Sequence, residues 1–280
     1  MGTRRLRMGQ YNRLQVVKRL EFGIYLDGYE DEILVPTRYV PEGVEIGDYL
    51  DVFVYRDSED RVIATTLEPY GTVGEFAYLT VNAVTAAGVF MDWGLPKDLF
   101  VPFKQQRDNM LVGKSFLVFI HLDTQTDRIV ASAKIDRFLD EDISELKEGM
   151  EVELLPFEYT DLGIKALINQ RHLGVLYHGE VFKNIDLGKP TKGYIKKIRE
   201  DQKIDVALVE QSYNRIADSK TVLFEKLEAA EGHFLPFTDK SDPTLIHNTF
   251  GMSKKDFKKA IGGLLKERKI KLEDDGIHKI

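Results

Sequence analysis

The amino-acid sequence predicts a mainly β, multidomain chain of 280 residues, in which three tandem five-stranded β-barrels precede a smaller α+β module. Two observations carry this prediction. One pattern of alternating apolar residues, glycines and polar turns occurs three times before residue 217, and helical periodicity appears only after it. We therefore expect four domains, at residues 1–69, 70–143, 144–216 and 217–280.

Each repeat is built from the same parts in the same order. A β-rich run leads to a first glycine, and a short apolar strand follows. A loop then ends at a second glycine, before a long strand, a polar turn and a last strand. The first glycines are Gly23, Gly88 and Gly163, the short strands are Ile33–Val35, Leu99–Val101 and Val175–Tyr177, and the second glycines are Gly47, Gly113 and Gly188. Closing five short strands into a barrel removes exposed edges, and glycine permits the bulge that closure needs.

Two helices are predicted at the start of the last module. Residues 219–231 place Val222, Leu223, Leu227 and Ala230 at helical spacing, which indicates the first helix. Asp242 stands directly before Pro243, as a capping residue stands before a proline in the first turn, and this pair indicates the start of the second helix.

A third helix and a hairpin complete this module. Ser253 and Asp256 have the spacing of a capping box, and the apolar stripe behind them consists of Phe257, Ile261, Leu264 and Leu265. The dipeptide Asp275-Gly276 lies between two short apolar runs, which indicates a β-hairpin. Three helices followed by a hairpin predict a winged helix-turn-helix.

Charge is unevenly distributed along the chain. The formal net charge is −7, which by itself argues against a nucleic-acid partner. The net charge is −4 in residues 1–70, −4 in 71–145, zero in 146–217 and +1 in 218–280. A nucleic-acid site is therefore expected to be strongest in the C-terminal half.

Each of the three repeats resembles the S1 domain, a β-barrel of the oligonucleotide-binding (OB) fold. The order of three such domains and a winged helix is similar to that of the conserved virulence factor B family of bacterial RNA-binding regulators. The resemblance implies a protein that binds single-stranded RNA and regulates gene expression after transcription. Its possible partners are the ribosome or RNA-turnover proteins.

The resemblance also implies the residues of a binding face. S1 domains carry two aromatic residues beside the strand glycine, then a histidine, and later an acid and a base near the last turn. In the first repeat these positions hold Phe22, Tyr25, Val35, Asp57 and Arg61. In the second they include Ala87, Phe90, Val101 and Arg128, and in the third Leu162, Lys165, Tyr177 and Lys203. The second face is therefore expected to be the weakest.

The sequence leaves the orientation of Phe22 and Tyr25 open. They are three residues apart, so strict strand alternation places them on opposite faces, with Phe22 in the core. A bulge at Gly23 would instead bring both rings to one face, where they could stack on bases.

Two basic groups are further candidates for contact with RNA. In the third repeat, Tyr177 and Tyr194 are interleaved with Lys165, Arg171, Lys183, Lys192, Lys196, Lys197, Arg199 and Lys203, a combination typical of a single-strand groove. On the last helix, Lys254, Lys255, Lys258 and Lys259 share one side. This is the recognition-helix position, although an ordinary solvated helix face has the same pattern.

The residues predict no enzyme. The chain has no cysteine, which excludes thiol catalysis and thiolate metal sites, and it has no P-loop or nucleophile elbow. The six histidines show no metal-ligand spacing, so we expect no catalytic residue, metal or cofactor. A cytoplasmic protein is expected. Two alternatives remain open, namely a protein-interaction adaptor for ribosomal or RNA-turnover machinery and a Mg²⁺-dependent nuclease built from scattered carboxylates.

Overall fold

The structure is a computed structural model that describes residues 5–107, 109–178, 185–208 and 213–280, with only the backbone at 213–218. It divides into two compact units, residues 1–143 with 153–191 and residues 144–152 with 192–280. Among the described residues, no helix is both long enough and apolar enough to cross a membrane.

Three closed five-stranded barrels are present, as predicted. Barrel 1 consists of β1 (Tyr11–Leu20), β2 (Gly23–Asp27), β3 (Glu32–Pro36), β4 (Tyr49–Arg56) and β5 (Val62–Thr65). Barrel 2 consists of β6 (Phe76–Val84), β7 (Gly88–Asp92), β8 (Leu99–Pro102), β9 (Ser115–Leu122) and β10 (Ile129–Ser132). Barrel 3 consists of β11 (Glu151–Tyr159), β12 (Gly163–Ile168), β13 (His172–Tyr177), β14 (Thr191–Ile198) and β15 (Ile204–Ala207).

The three barrels share one strand order. Within each, the first strand pairs with the second and the second with the third, while the fifth strand lies between the third and the fourth. The fourth strand closes the barrel against the first. Because this order is the same in all three, the repeated sequence pattern encodes one topology.

The first glycine of each repeat is required by a close backbone approach. A Cβ atom at Gly23 would lie 2.2 Å from the carbonyl oxygen of Val35, and one at Gly88 would lie 2.2 Å from that of Val101. At Gly163 the corresponding distance, to Leu176, is 2.1 Å. No side chain fits against a carbonyl oxygen of the neighbouring strand at such a distance, so glycine is the residue these positions accept.

The prediction that a bulge lies at the first glycine is wrong, because the bulge lies on the preceding strand. The register shifts instead on the first strand of each barrel, between Val16 and Lys18 in β1, Val81 and Ala83 in β6, and Pro156 and Glu158 in β11. The second glycine of each repeat stabilises the bulge, because its N–H donates a hydrogen bond to the carbonyl oxygen of the residue that precedes the bulge. These bonds run from Gly47 to Val16, from Gly113 to Val81 and from Gly188 to Pro156, at 2.7–2.9 Å. The bulge bends the long first strand, so that this strand can pair with both the second and the fourth strand.

The last module has the predicted helices and hairpin. They are α1 (Tyr213–Ala229), α2 (Pro243–Phe250) and α3 (Lys254–Lys266), with a sheet of β16 (Phe234–Leu235), β18 (Ile277–Lys279) and β17 (Ile270–Leu272). Asp242 accepts hydrogen bonds from the Thr244 and Leu245 N–H groups, and Ser253 accepts one from Asp256 N–H. Both caps are therefore confirmed.

Two details of this module differ from the prediction. The first helix spans Tyr213–Ala229, so it begins six residues earlier and ends two residues earlier than the predicted 219–231. Leu265 is 39% exposed, whereas Phe257, Ala260, Ile261 and Leu264 are buried, so the core stripe of α3 is narrower than predicted. Gly263 lies against α1, where an added Cβ would be 2.6 Å from Lys220 Cδ.

Barrels 1 and 2 share part of their apolar packing. The interior of barrel 1 contains Leu14, Val35 and Val54. Phe53, Tyr55 and Ile63 alternate with such interior positions, so they point outward and pack with the apolar residues of barrel 2. The rings of Phe53 and Trp93 meet edge to face, with centroids 5.7 Å apart. This contact places the β4–β5 turn of barrel 1 beside the outer face of barrel 2.

Candidate nucleic-acid interface

Phe22 and Tyr25 lie on the same side of barrel 1. Phe22 occupies the β1–β2 turn and is 55% exposed, while Tyr25 is half-buried on β2. Their ring centroids are 6.2 Å apart with an interplanar angle of 82°, an edge-to-face arrangement. The alternative in which Phe22 belongs to the core is wrong, because a turn residue is not bound by strand alternation.

A cation accompanies this aromatic pair. Lys18 Nζ lies 5.2 Å from the centroid of the Tyr25 ring and 3.5 Å from Glu32 Oε2. Lys18 follows the bulge in β1 and pairs directly with Tyr25, so the bulge sets which residue of β1 stands beside the ring. Aromatic rings are the groups on which unpaired bases stack, and an ammonium is a group that contacts phosphate.

Val35 and Val101, which stand where the resemblance implies a histidine, do not reach the barrel surface. Both are fully buried inside their barrels. The strand register instead places Leu34 opposite Tyr25 and Phe100 opposite Phe90. The alternation of β8 could have identified Phe100, because an outward position lies next to an inward valine.

Tyr177 occupies a different register from these valines. It pairs with Gly163, as Pro36 pairs with Gly23 and Pro102 with Gly88. The side chains of Lys165 and Tyr177 therefore lie on the same face of the β12–β13 ladder, two residues apart along it. Leu162, at the position equivalent to Phe22, is exposed.

Asp57 and Arg61 bind each other across the β4–β5 turn. Arg61 Nε and Nη2 donate to Asp57 Oδ2 at 2.8 and 2.6 Å, and Arg61 Nη1 lies 2.8 Å from Glu59 Oε2. Burial acts to raise the pKa of Asp57, but the hydrogen bonds from Arg61 and Glu59 outweigh it and hold the pKa below its usual value. This pair orders the turn, and the exposed guanidinium of Arg61 remains accessible from solvent.

Phe90 and Arg128 of barrel 2 acquire partners that the sequence pattern did not indicate. The Phe90 ring lies 5.0 Å from that of Phe100 at an interplanar angle of 37°. Arg128 Nη2 does not pair with the acid of its own turn, Asp123, but donates at 2.8 Å to Asp60 Oδ2 in the β4–β5 turn of barrel 1. The face expected to be the weakest therefore holds two rings and a guanidinium.

The basic residues of barrel 3 lie among carboxylates. Lys165 Nζ is 2.9 Å from Glu158, and Tyr177 and Arg171 also have partners. Lys192 is 2.6 Å from Glu151 and 5.7 Å from the centroid of the Tyr194 ring.

Carboxylates also accompany the two cations of the β14–β15 turn. Arg199 is 2.9 Å from Asp205, and Lys203 is 2.9 Å from Asp201. Lys196 has a partner, Lys197 is exposed, and Lys183 lies outside the described residues. The local positive charge is thus smaller than the count of lysines and arginines suggests.

The four lysines of α3 stand on its solvent side. Lys255, Lys258 and Lys259 are exposed, and Lys254 donates to the carbonyl oxygen of Lys240 at 3.3 Å. Lys258 lies 3.6 Å from Asp239. The ammonium groups of Lys254 and Lys258 therefore lie near oxygen atoms of the protein, whereas Lys255 and Lys259 are exposed.

One group of potential metal ligands occurs within the described residues. His278 Nε2 lies 3.0 Å from Asp275 Oδ1 and 3.8 Å from Glu273 Oε2, at the β17–β18 turn. Glu273 is also 2.7 Å from Lys271, and its carboxylate is exposed like that of Asp275. The hydrogen bond from His278 lowers the pKa of Asp275. This arrangement is an ion-paired hairpin turn.

Two segments of the chain match known protein families. Residues 8–67 match the S1 domain, and residues 221–278 match the CvfB-like winged helix domain. The chain is 27% identical over 284 residues to protein YitL of Bacillus subtilis, covering 96% of this chain and 92% of that protein. It is 26% identical over 236 residues to conserved virulence factor B of Staphylococcus epidermidis, covering 82% and 79%. A Streptococcus pneumoniae multidomain protein with nucleic acid binding domains covers 98% of both chains, at 23% identity and a TM-score of 0.44.

Proposed function

We propose that this chain is a member of the conserved virulence factor B family and that it binds single-stranded RNA. Its residues 8–67 match the S1 domain, and its residues 221–278 match the CvfB-like winged helix domain. We further propose that it acts by binding and not by catalysis, as a cytoplasmic regulator of gene expression after transcription. The domains end near residues 69, 143 and 216 in this proposal.

The aromatic pair on barrel 1 is the observation that supports this proposal most directly. Phe22 is exposed and lies at the edge of Tyr25 instead of being packed into the core, so the two rings together form an aromatic patch on the surface. Single-stranded RNA presents unstacked bases, and each base that stacks on an aromatic side chain contributes roughly 1–3 kcal/mol as judged by truncation. Phe22 and Tyr25 could therefore hold one or two bases.

The phosphates need cations close to the rings. Although residues 1–70 have a net charge of −4, β1 carries Lys18 and Arg19 on the strand next to the aromatic pair. Lysines on α3 and Lys197 on β14 are further exposed cations. Because each contact to phosphate releases condensed counterions, binding should weaken steeply as the salt concentration rises.

The proposal is tested by titrating the full-length protein into fluorescein-labelled oligouridine at two salt concentrations and following anisotropy. We expect binding at low salt, with an affinity that falls by about tenfold or more between 50 and 200 mM salt if roughly three phosphates are contacted. The RNA should remain intact in the presence of Mg²⁺. An absence of binding at low salt would refute the proposal and favour a role as a protein-interaction adaptor, and Mg²⁺-dependent degradation would favour a nuclease.

A further inference from the structure

One end of barrel 2 exposes a group of apolar side chains. It consists of the tip of the β6–β7 hairpin and the loop that joins β8 to β9. Four large apolar residues of this end are between 53% and 70% exposed, namely Val84, Phe103, Leu111 and Val112, and Ala86 at the hairpin tip is exposed as well. We call these five residues the apolar end of barrel 2. A single exposed apolar residue is ordinary, but a group of them is typical of a binding surface.

Backbone hydrogen bonds hold the two segments of this end together. Phe103 N–H donates to the carbonyl oxygen of Ala87 at 2.9 Å, which places Phe103 beside the hairpin tip. Gly113 N–H donates at 2.9 Å to the carbonyl oxygen of Val81, which lies three residues before Val84 on β6. The loop is therefore attached to the hairpin both at its start and at its end.

The other two barrels cover the position of Val84 with a polar side chain. Val84 has the same register as Arg19 in barrel 1 and Tyr159 in barrel 3, opposite the residue that follows the first glycine. Arg19 Nη2 donates to the carbonyl oxygen of Val44, and Tyr159 Oη donates to that of Ile185 at 2.8 Å. Both acceptors lie three residues before the second glycine, in the loop that corresponds to the β8–β9 loop. Valine is shorter and has no donor, so in barrel 2 the apolar loop is left uncovered.

The charged residues beside this end are mainly basic. Residues 103–114 contain three basic residues and one acid, a net charge of +2, whereas the corresponding residues 37–48 of barrel 1 contain one basic residue and three acids, a net charge of −2. The basic residues Lys104, Arg107 and Lys114 are all exposed. Because residues 71–145 as a whole have a net charge of −4, basic charge is concentrated at the apolar end.

We infer that the apolar end of barrel 2 binds an acidic segment of a partner protein. The partner's apolar side chains contact Val84, Leu111 and Val112, and its carboxylates face the basic residues of the loop. This inference goes beyond RNA binding and does not depend on it. A second copy of this chain fits this surface less well, because two such ends would bring like charges together. RNA also fits less well, because Phe103 is the one member of the five that offers a ring for a base to stack on.

The inference is tested with the full-length protein and two fluorescein-labelled synthetic helical peptides, followed by anisotropy at low salt. One peptide has leucine on one face and glutamate elsewhere, and the other has lysine in place of every glutamate. We expect the glutamate peptide to bind with a Kd about tenfold lower than that of the lysine peptide. Leu111→Ser with Val112→Ser should raise the Kd of the glutamate peptide about tenfold, because apolar contacts are lost. Lys104→Glu with Lys114→Glu should reverse the preference between the peptides.

Ile46→Ser is the matched control, because Ile46 is 64% exposed and directly precedes the second glycine of barrel 1, as Val112 does in barrel 2. It should leave the Kd of the glutamate peptide unchanged. The inference is overturned if the glutamate peptide does not bind, if both peptides bind equally, or if Ile46→Ser loses the same affinity.

Oligouridine and lipid vesicles distinguish the other possible occupants. The Leu111→Ser, Val112→Ser variant should bind oligouridine as the wild type does. A loss of oligouridine binding as large as the loss of peptide binding would assign this end to RNA and overturn the inference. Binding of the wild type to phosphatidylglycerol vesicles that this variant abolishes would likewise assign it to lipid. A wild-type protein that binds the glutamate peptide but no oligouridine would refute the proposed function alone.

Discussion

Replacing Phe22 by alanine separates the contribution of the barrel 1 aromatic pair to RNA binding from its contribution to folding. The ring is 55% exposed and touches Tyr25 edge to face, so its removal creates no cavity in the core. An aromatic pair of this kind contributes about 0.5–1.5 kcal/mol, and exposure places it at the lower end, so the stability of the fold should change by less than about 1 kcal/mol.

The effect of Phe22→Ala on RNA binding should be larger than its effect on stability. Loss of one base stack costs about 1–3 kcal/mol, which corresponds to an increase in Kd of about 5- to 150-fold. Anisotropy with labelled oligouridine measures the Kd, and thermal denaturation followed by circular dichroism measures the stability. Tyr25→Ala should weaken binding by a similar factor, because both rings face the same side.

Tyr49→Ala is the control for this experiment. Tyr49 is an exposed aromatic residue of barrel 1, 57% accessible, and it begins β4 away from the β1–β2 turn. It should leave the Kd unchanged. If Phe22→Ala binds oligouridine as tightly as the wild type, or if Tyr49→Ala loses the same affinity, the aromatic pair is not the stacking site.

Three further predictions concern the backbone and the cations. Gly88→Ala should destabilise the protein by about 1–3 kcal/mol in urea denaturation, because its Cβ would lie 2.2 Å from a backbone carbonyl oxygen; an unchanged midpoint would contradict this close approach of the two strands. Gly262→Ala should instead raise the stability of the winged helix by about 0.5–1 kcal/mol, since an added Cβ meets nothing within 4 Å in the middle of α3; a loss of stability would indicate a contact there. Lys196→Glu with Lys197→Glu should weaken RNA binding and reduce the slope of log K against log salt by about 1.4, as for two lost phosphate contacts; an unchanged slope would exclude β14 from the interface.

The sequence predicted the barrels well because their determinants are local. Alternation with a period of two, and two glycines per repeat, recur at equivalent places along the chain. Both helix caps were also predictable, since Asp242 and Ser253 act on N–H groups only two or three residues away. Such features depend on residues that are close in sequence, so they can be identified without knowledge of the fold.

The residues that point outward from each barrel are harder to predict, because they depend on register. A displacement of one residue moves a side chain from the surface to the interior: Val35 and Val101 are buried, whereas Leu34 and Phe100 lie opposite Tyr25 and Phe90. The exposed position of Phe22 likewise followed from its place in a turn, which alternation alone could not reveal.

The repeated strand pattern and the later helical periodicity are enough to predict three like barrels followed by a winged helix, with surfaces that differ in aromatic and basic residues. Which of those residues meet depends on the folded chain. Arg128 pairs with Asp60, 68 positions earlier, and Phe103 lies beside the tip of the β6–β7 hairpin. Contacts of this kind form because folding brings separate parts of the chain within a few ångströms, and no spacing along the sequence records that distance.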